Sequence, residues 1–215
     1  MTSGFGFAAA ADKIEAAMTS ALSLRAVPLR PDLAEATGAW KGDPVHIASA
    51  AWTGPDVRFA RVVRLTSPAL DIANLLALPR PPSAAPVFGA DLVAARPDTG
   101  LIAADLSPVD AAPRLASDPQ FPDWATGVFS ASPLFRRVTP DEASIAVADV
   151  AAMADRFVAA VRSGNALTEA AVDAAHRRYL AAHRRDDKML TMLARIFGDA
   201  WTADFVDAVL FPPVS

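Results

Sequence analysis

Between residues 9 and 23 the apolar positions Ile14, Met18 and Leu22 recur every fourth residue, the spacing of a helix with one buried stripe. Pro28 and Pro31 end it. From about residue 34 to residue 106 the period falls to two, and strands are predicted at 45–52, 57–66, 70–78, 86–95 and 100–106. Turn signals separate them: Thr53-Gly54-Pro55, Ser67-Pro68, the Pro79 to Pro82 cluster, and Pro97-Asp98-Thr99-Gly100. Such short connections imply antiparallel pairing, because a parallel crossover needs a dozen residues or more. Residues 107–122 are proline-rich and predict irregular chain.

Helical periodicity then returns. A helix over 140–162 starts at Thr139-Pro140-Asp141-Glu142 and stops at Ser163-Gly164-Asn165. A second covers 168–184 from Thr168, a third covers 188–197 after Asp186-Asp187, and a short one spans about 200–209. No internal repeat or low-complexity linker interrupts the order. Strands bracketed by helices predict an α+β fold, a central antiparallel sheet with helices over its faces.

Composition sharpens this. At 215 residues the chain fits a single domain, 1–215, on a prior of about 150 residues per domain. A hydrophobic content of 53% with net charge −4 excludes a disordered chain, and the weakly acidic balance argues against a nucleic-acid binder. With Cys 0, disulfides, thiol catalysis and thiolate-held zinc or iron–sulfur clusters are gone. Any redox role must borrow its electrons. The start, MTSGFGFAAAADKIEAAM, has no basic n-region, and no stretch approaches the ~18 apolar residues of a membrane span. The expected location is the cytoplasm.

Polar side chains that break apolar rows carry the functional signal. Leu70, Ile72, Asn74, Leu76 and Leu78 share one strand face, with Asn74 at its centre. Asp91 is the single polar member of Val87, Gly89, Asp91 and Val93. Arg61 stands alone among Val57, Phe59, Val63 and Leu65. A carboxylate in such a row must be paired, protonated or solvated. Two readings follow: a structural Asp91–Arg61 pair or a solvated face, and a cleft lined by apolar groups in which Asp91 donates protons.

Asp186-Asp187-Lys188 lies between two helices, where an N-cap and a first-turn aspartate account for one acid better than for both. The run Arg177, Arg178, Arg184 and Arg185 reads either as a solvated helix face or as a docking patch for an acidic partner. Gly4-Phe5-Gly6 follows no strand and lacks a third glycine, so it is not a dinucleotide loop, and there is no P-loop or nucleophile elbow. His46, His176 and His183 lack metal-ligand spacing; the last two, seven apart on a helix, are expected to be exposed.

At these residues the chain resembles the ferredoxin-dependent bilin reductases, which reduce the open-chain tetrapyrrole biliverdin to phytobilins. The matching segments are LDIANLLALP (70–79), PVFGADLVA (86–94), IAADLSP (102–108) and HRRYLAAHRRDDKMLTMLARIFGDAWTADFVDAVLF (176–211), in family-like order from about residue 43 to residue 211. The resemblance implies a three-layer α/β/α sandwich with bilin between the sheet and the C-terminal helices. It implies no bound metal or flavin, with electrons arriving singly from reduced [2Fe-2S] ferredoxin. Biliverdin IXα and ferredoxin are then the partners of a monomer, without nucleic acid or membrane.

By the resemblance, Asp91 is the central aspartate that hydrogen-bonds the pyrrole nitrogens and donates protons. Asn74 stands where phycocyanobilin-forming members have a histidine, and Val63 where they have a glutamate near the D-ring vinyl group. Arg61 falls where those members have a histidine near the substrate, and Phe88 in FGADLV counts among the substrate contacts. Asp186 and Asp187 match the pair in which other members place a second proton donor, and Lys188 matches a basic residue that meets a propionate. The family's arginine before its Pro-Pro-Trp-Gly-like segment is missing, since the stretch here is Asp118-Pro119-Gln120-Phe121-Pro122-Asp123-Trp124. The implied products are 15,16-dihydrobiliverdin or phycoerythrobilin. The alternatives are a phycocyanobilin-forming enzyme, a reductase of another linear tetrapyrrole such as a chlorophyll catabolite, and a non-catalytic bilin carrier. The arginine run is the implied docking patch for ferredoxin.

Overall fold

Lys41 and Gly42 both adopt positive φ, 54° and 92°, the backbone of a two-residue hairpin turn whose twist suits its strands. They join β2 (Glu35–Trp40) to β3 (Asp43–Thr53). In the computed structural model, which describes residues 4–213, this hairpin opens the main sheet; the first three residues of the stretch read for a targeting signal lie outside the described residues. The sequence predicts β3 over 45–52 but not β2, because Lys-Gly is a weaker turn signal than Asn-Gly.

The sheet continues through β4 (Val57–Thr66), β5 (Asp71–Pro79), β6 (Val87–Ala94), β7 (Gly100–Ser107) and β8 (Leu134–Val138). Its order is β1-β3-β4-β5-β6-β7-β8, antiparallel throughout. The short β1 (Arg25–Val27) pairs with residues 51–53 of β3, and β2 pairs with residues 43–48, so the two share one edge of that strand. β1, β2 and β8 are additions to the predicted set.

One layer of helices holds α1 (Phe7–Ala21) and α3 (Pro140–Arg162). α1 has the predicted length but lies two residues earlier than 9–23, and it stops at Ala21, well before Pro28, where the amides of Leu22 and Leu24 bond back to the carbonyls of Met18 and Thr19. Its first turn is capped from across the molecule: Asp71 accepts hydrogen bonds from the amides of Phe7 and Ala8, each 2.9 Å. α3 starts with a capping box between Thr139 and Glu142. The opposite layer holds α2 (Pro31–Ala34), α4 (Glu169–His183), α5 (Asp187–Phe197) and α6 (Asp199–Phe205), followed by a π-type turn at Val206–Leu210. The three-layer sandwich with an antiparallel centre is thus the observed architecture.

Two face assignments are corrected. A β-bulge shifts the register between Val57 and Phe59. The extra residue, Arg58, turns Val57 into the core under α1 and α3, while Phe59 and Val63 stay on the opposite side. Phe88 also lies in the α1–α3 core, fully buried with its ring centroid 6.1 Å from that of Phe157. It lies on the face of the sheet opposite Asp91, three residues away along the strand.

Candidate functional site

Cross-strand register brings the marked polar residues together. Val63 pairs with Asn74, Asn74 with Asp91, and Asp91 with Ala103, forming one row across four strands. The next row runs Arg61, Leu76, Gly89, Asp105. Both rows face α4, α5 and the C-terminal turn.

Arg61 is 3% exposed. Its Nε donates to the Leu210 carbonyl at 3.0 Å and its Nη1 donates to Asn74 Oδ1, while Asn74 Nδ2 donates to Asp91 Oδ1. Phe211 lies against the guanidinium, 5.9 Å from its ring centroid. Burial lowers Arg61 to about 10, which leaves it cationic at neutral pH. Burial pushes the Asp91 carboxyl above the usual carboxylate range. The Asn74 hydrogen bond and the Arg61 charge oppose that shift, and Asp186 adds to it.

α4 covers these rows. A Cβ at Gly89 would collide with the Tyr179 hydroxyl, so only glycine admits the ring here. His183 stacks on Tyr179 with centroids 4.1 Å apart and meets Trp124 at 4.5 Å, Phe129 at 5.6 Å and Phe211 at 6.1 Å. Its Nδ1 stands 3.0 Å from the Tyr179 carbonyl, which accepts only, so the neutral ring carries its proton there. Burial, joined by Arg61's charge, holds His183 down to about 4 against that hydrogen bond.

Both helix histidines correct the expectation of exposure. His176 is fully buried and neither ring nitrogen has a hydrogen-bond partner. The inward stripe of α4 includes Val172, His176 and Tyr179, so seven-residue spacing from His176 to His183 follows that stripe rather than the outer face.

Asp105 is a further polar residue of the site, marked by the same alternation beside Leu101 and Ala103. It is 2% exposed and accepts from Ser107 Oγ at 2.6 Å, from the Ser130 amide at 2.8 Å and from Ser130 Oγ. Burial nonetheless pushes its carboxyl up. Burial, Asp91 and Asp105 together push the Tyr179 hydroxyl up as well. Tyr179 and His183 could have been found from their i, i+4 spacing on α4 with aromatic neighbours.

The remaining marked residues divide. Asp186 is the N-cap of α5, accepting from the amides of Lys188 at 3.2 Å and Met189 at 3.3 Å, and it alone of the pair acts on Asp91. Asp187 and Lys188 are exposed and line a groove of about 340 Å³ with Trp40, Thr191, Met192 and Arg195. Arg177, Arg178 and Arg185 are exposed. Arg184 corrects the reading of a free patch. Its guanidinium bonds Asp207 at 2.6 Å and the Phe211 carbonyl, so it staples the C-terminal turn. Among the described residues no group of three or more His, Cys, Asp or Glu is placed to hold a metal ion, and no helix is long and apolar enough to cross a membrane.

The family model described as ferredoxin-dependent bilin reductase matches residues 11–119 and 110–212. A phycocyanobilin:ferredoxin oxidoreductase of Gloeobacter violaceus is 29% identical over 212 residues, 88% of this chain and 83% of that protein. A phycoerythrobilin:ferredoxin oxidoreductase of the same organism is 27% identical over 229 residues, 93% of this chain and 92% of that protein. Among solved structures, tomato phytochromobilin synthase in complex with biliverdin superposes with a TM-score of 0.75 at 13% identity, covering 94% of this chain and 81% of that one. The chain is therefore a ferredoxin-dependent bilin oxidoreductase and belongs to the ferredoxin-dependent bilin reductase family.

Proposed function

We propose that this enzyme reduces biliverdin IXα at the C15 methine bridge to 15,16-dihydrobiliverdin, with phycoerythrobilin as the product of a second such step at the A-ring. Each step adds two electrons and two protons to one double bond and oxidises two reduced ferredoxins. Asp91 protonates the bound bilin, which then accepts an electron more readily because the added charge is neutralised. A site that excludes bulk water protects the radical between electrons. Asp186 supplies a later proton, with Asp187 beside it at the start of α5. Lys188 meets a propionate. Arg177, Arg178 and Arg185 receive the acidic ferredoxin, and the protein acts as a single-domain monomer in the cytoplasm with no cofactor of its own.

The observation that carries the choice of product is Asn74 between Arg61 and Asp91. An amide does not titrate, and Val63 beside it is apolar, so this row offers the bilin one acid rather than several. Reduction of the D-ring vinyl group, for which phycocyanobilin-forming members use a histidine and a glutamate here, is then lost. Anaerobic turnover of biliverdin with reduced ferredoxin, followed by chromatography of the products, tests the reading. Dihydrobiliverdin or phycoerythrobilin is expected, and phycocyanobilin as the main product would overturn it.

A further inference from the structure

We propose that Arg61 is a positioning residue that, through Asn74, decides which oxygen of Asp91 carries the proton. The proposal rests on the reading of Asp91 as the proton donor and deepens it. A guanidinium has five N–H donors and no acceptor. Facing Arg61, the Asn74 amide must present its oxygen, and the observed Nη1 to Oδ1 bond has that sense. The amide is planar, so its NH₂ group is then aimed at the strand on the other side, where Asp91 stands directly opposite. Asp91 Oδ1 therefore accepts an N–H and has no room for a proton on that side. A proton on Asp91 is confined to Oδ2.

Arg61 is built for this work rather than for contact with a ligand. It is 3% exposed, its Nε is held by the Leu210 carbonyl, and Phe211 lies against its plane. Leu76, its partner on β5, is apolar and offers it no alternative acceptor side chain. Without Arg61, the Asn74 amide can rotate by half a turn and offer its oxygen to a protonated Asp91. The proton then sits on Oδ1, facing along the sheet into Asn74. The arginine thus removes one of two proton positions.

The test uses the free full-length protein. Carboxyl ¹³C signals of Asp91 and side-chain ¹H–¹⁵N signals of Asn74 are followed against pH. In the unmodified protein the Asn74 amide signals are expected to shift with the same midpoint as the Asp91 carboxyl. In Arg61→Gln that midpoint is expected to rise by about one pH unit, a tenfold gain in proton affinity. Arg61→Lys, which keeps a cationic donor, should restore most of the original midpoint. Asn74 amide signals that ignore the Asp91 titration in the unmodified protein would overturn the inference, whether or not Arg61→Gln folds. So would a folded Arg61→Gln with both titrations unchanged. None of these readouts needs bilin. Full turnover by Asp91→Asn would instead overturn the donor reading beneath.

Discussion

The Tyr179 hydroxyl rests over Gly89, at a distance that leaves no space for a Cβ on the strand below. Gly89→Ala therefore forces Tyr179 away from the sheet. A loss of about 1–3 kcal/mol is expected in urea unfolding, the usual cost of overpacking. Removing the hydroxyl leaves Cζ as the nearest atom at 3.4 Å, an ordinary contact. Tyr179→Phe combined with Gly89→Ala should recover most of the loss, and a double variant no more stable than Gly89→Ala would refute the account.

His176 makes stability depend on pH. Burial and the Arg58 charge lower it from 6.5 to about 4, against the opposing influence of Asp173. Above pH 6.5 the ring is neutral whether folded or unfolded, so it contributes no pH dependence. As pH falls from 6.5 to 4 the unfolded chain takes up the proton first, and the folded state loses up to about 1.4 kcal/mol per pH unit. His183, held down to about 4, acts in the same window. His176→Leu should flatten the fall in unfolding free energy between those limits, and an unchanged slope would count against this assignment.

Asp105 ties β7 to the loop that carries Phe129. Asp105→Ala strands the Ser130 amide and two hydroxyls, and a loss of about 3 kcal/mol is expected. Asp105→Asn retains one carbonyl acceptor, and the serine hydroxyls can turn to accept from its amide. It should therefore cost clearly less. Thermal melts of the two variants give the comparison, and equal losses would show that the hydrogen bonds are not what matters.

Asp71 supplies to α1 the cap that Gly6, without a side chain, cannot. Asp71→Ala should cost about 1–2 kcal/mol and raise hydrogen exchange in the first turn of that helix before anywhere else. Protection unchanged at Phe7 and Ala8 would refute the role.

Reversing the charges of Arg177, Arg178 and Arg185 should raise the apparent KM for ferredoxin several-fold while leaving biliverdin affinity intact. Arg184→Glu should behave differently, lowering stability because it releases the C-terminal turn from Asp207 and Phe211. Unchanged ferredoxin kinetics in the triple variant would move the docking surface elsewhere.

Strict alternation makes Asn74, Asp91 and Arg61 legible in the sequence, since each breaks an otherwise apolar row and register then aligns two of them as direct partners. Alternation fails at Val57, because a one-residue bulge exchanges the faces and nothing in VRFARVV announces it. Phe88 shares a motif with Asp91, but an odd spacing of three along the strand puts the two on opposite sides. The burial of His176 is invisible to any rule that ranks residue types by polarity, since an imidazole with no partner is placed inward here by the helical stripe alone. The hold of Leu210 on Arg61, and of Phe211 on Arg184, is illegible because both act through main-chain carbonyls, which every residue carries.

The bond from Arg61 to the Leu210 carbonyl joins positions 149 residues apart. Neighbouring strands of the sheet meet through short turns and can form early, whereas this contact closes a loop of most of the chain and gains nothing until then. The site is consequently incomplete until the C-terminal turn has docked. A ribosome-bound chain that has already formed the hairpins of β3 to β7 still lacks the carbonyl that holds Arg61, and so has no fixed proton position to offer a bilin.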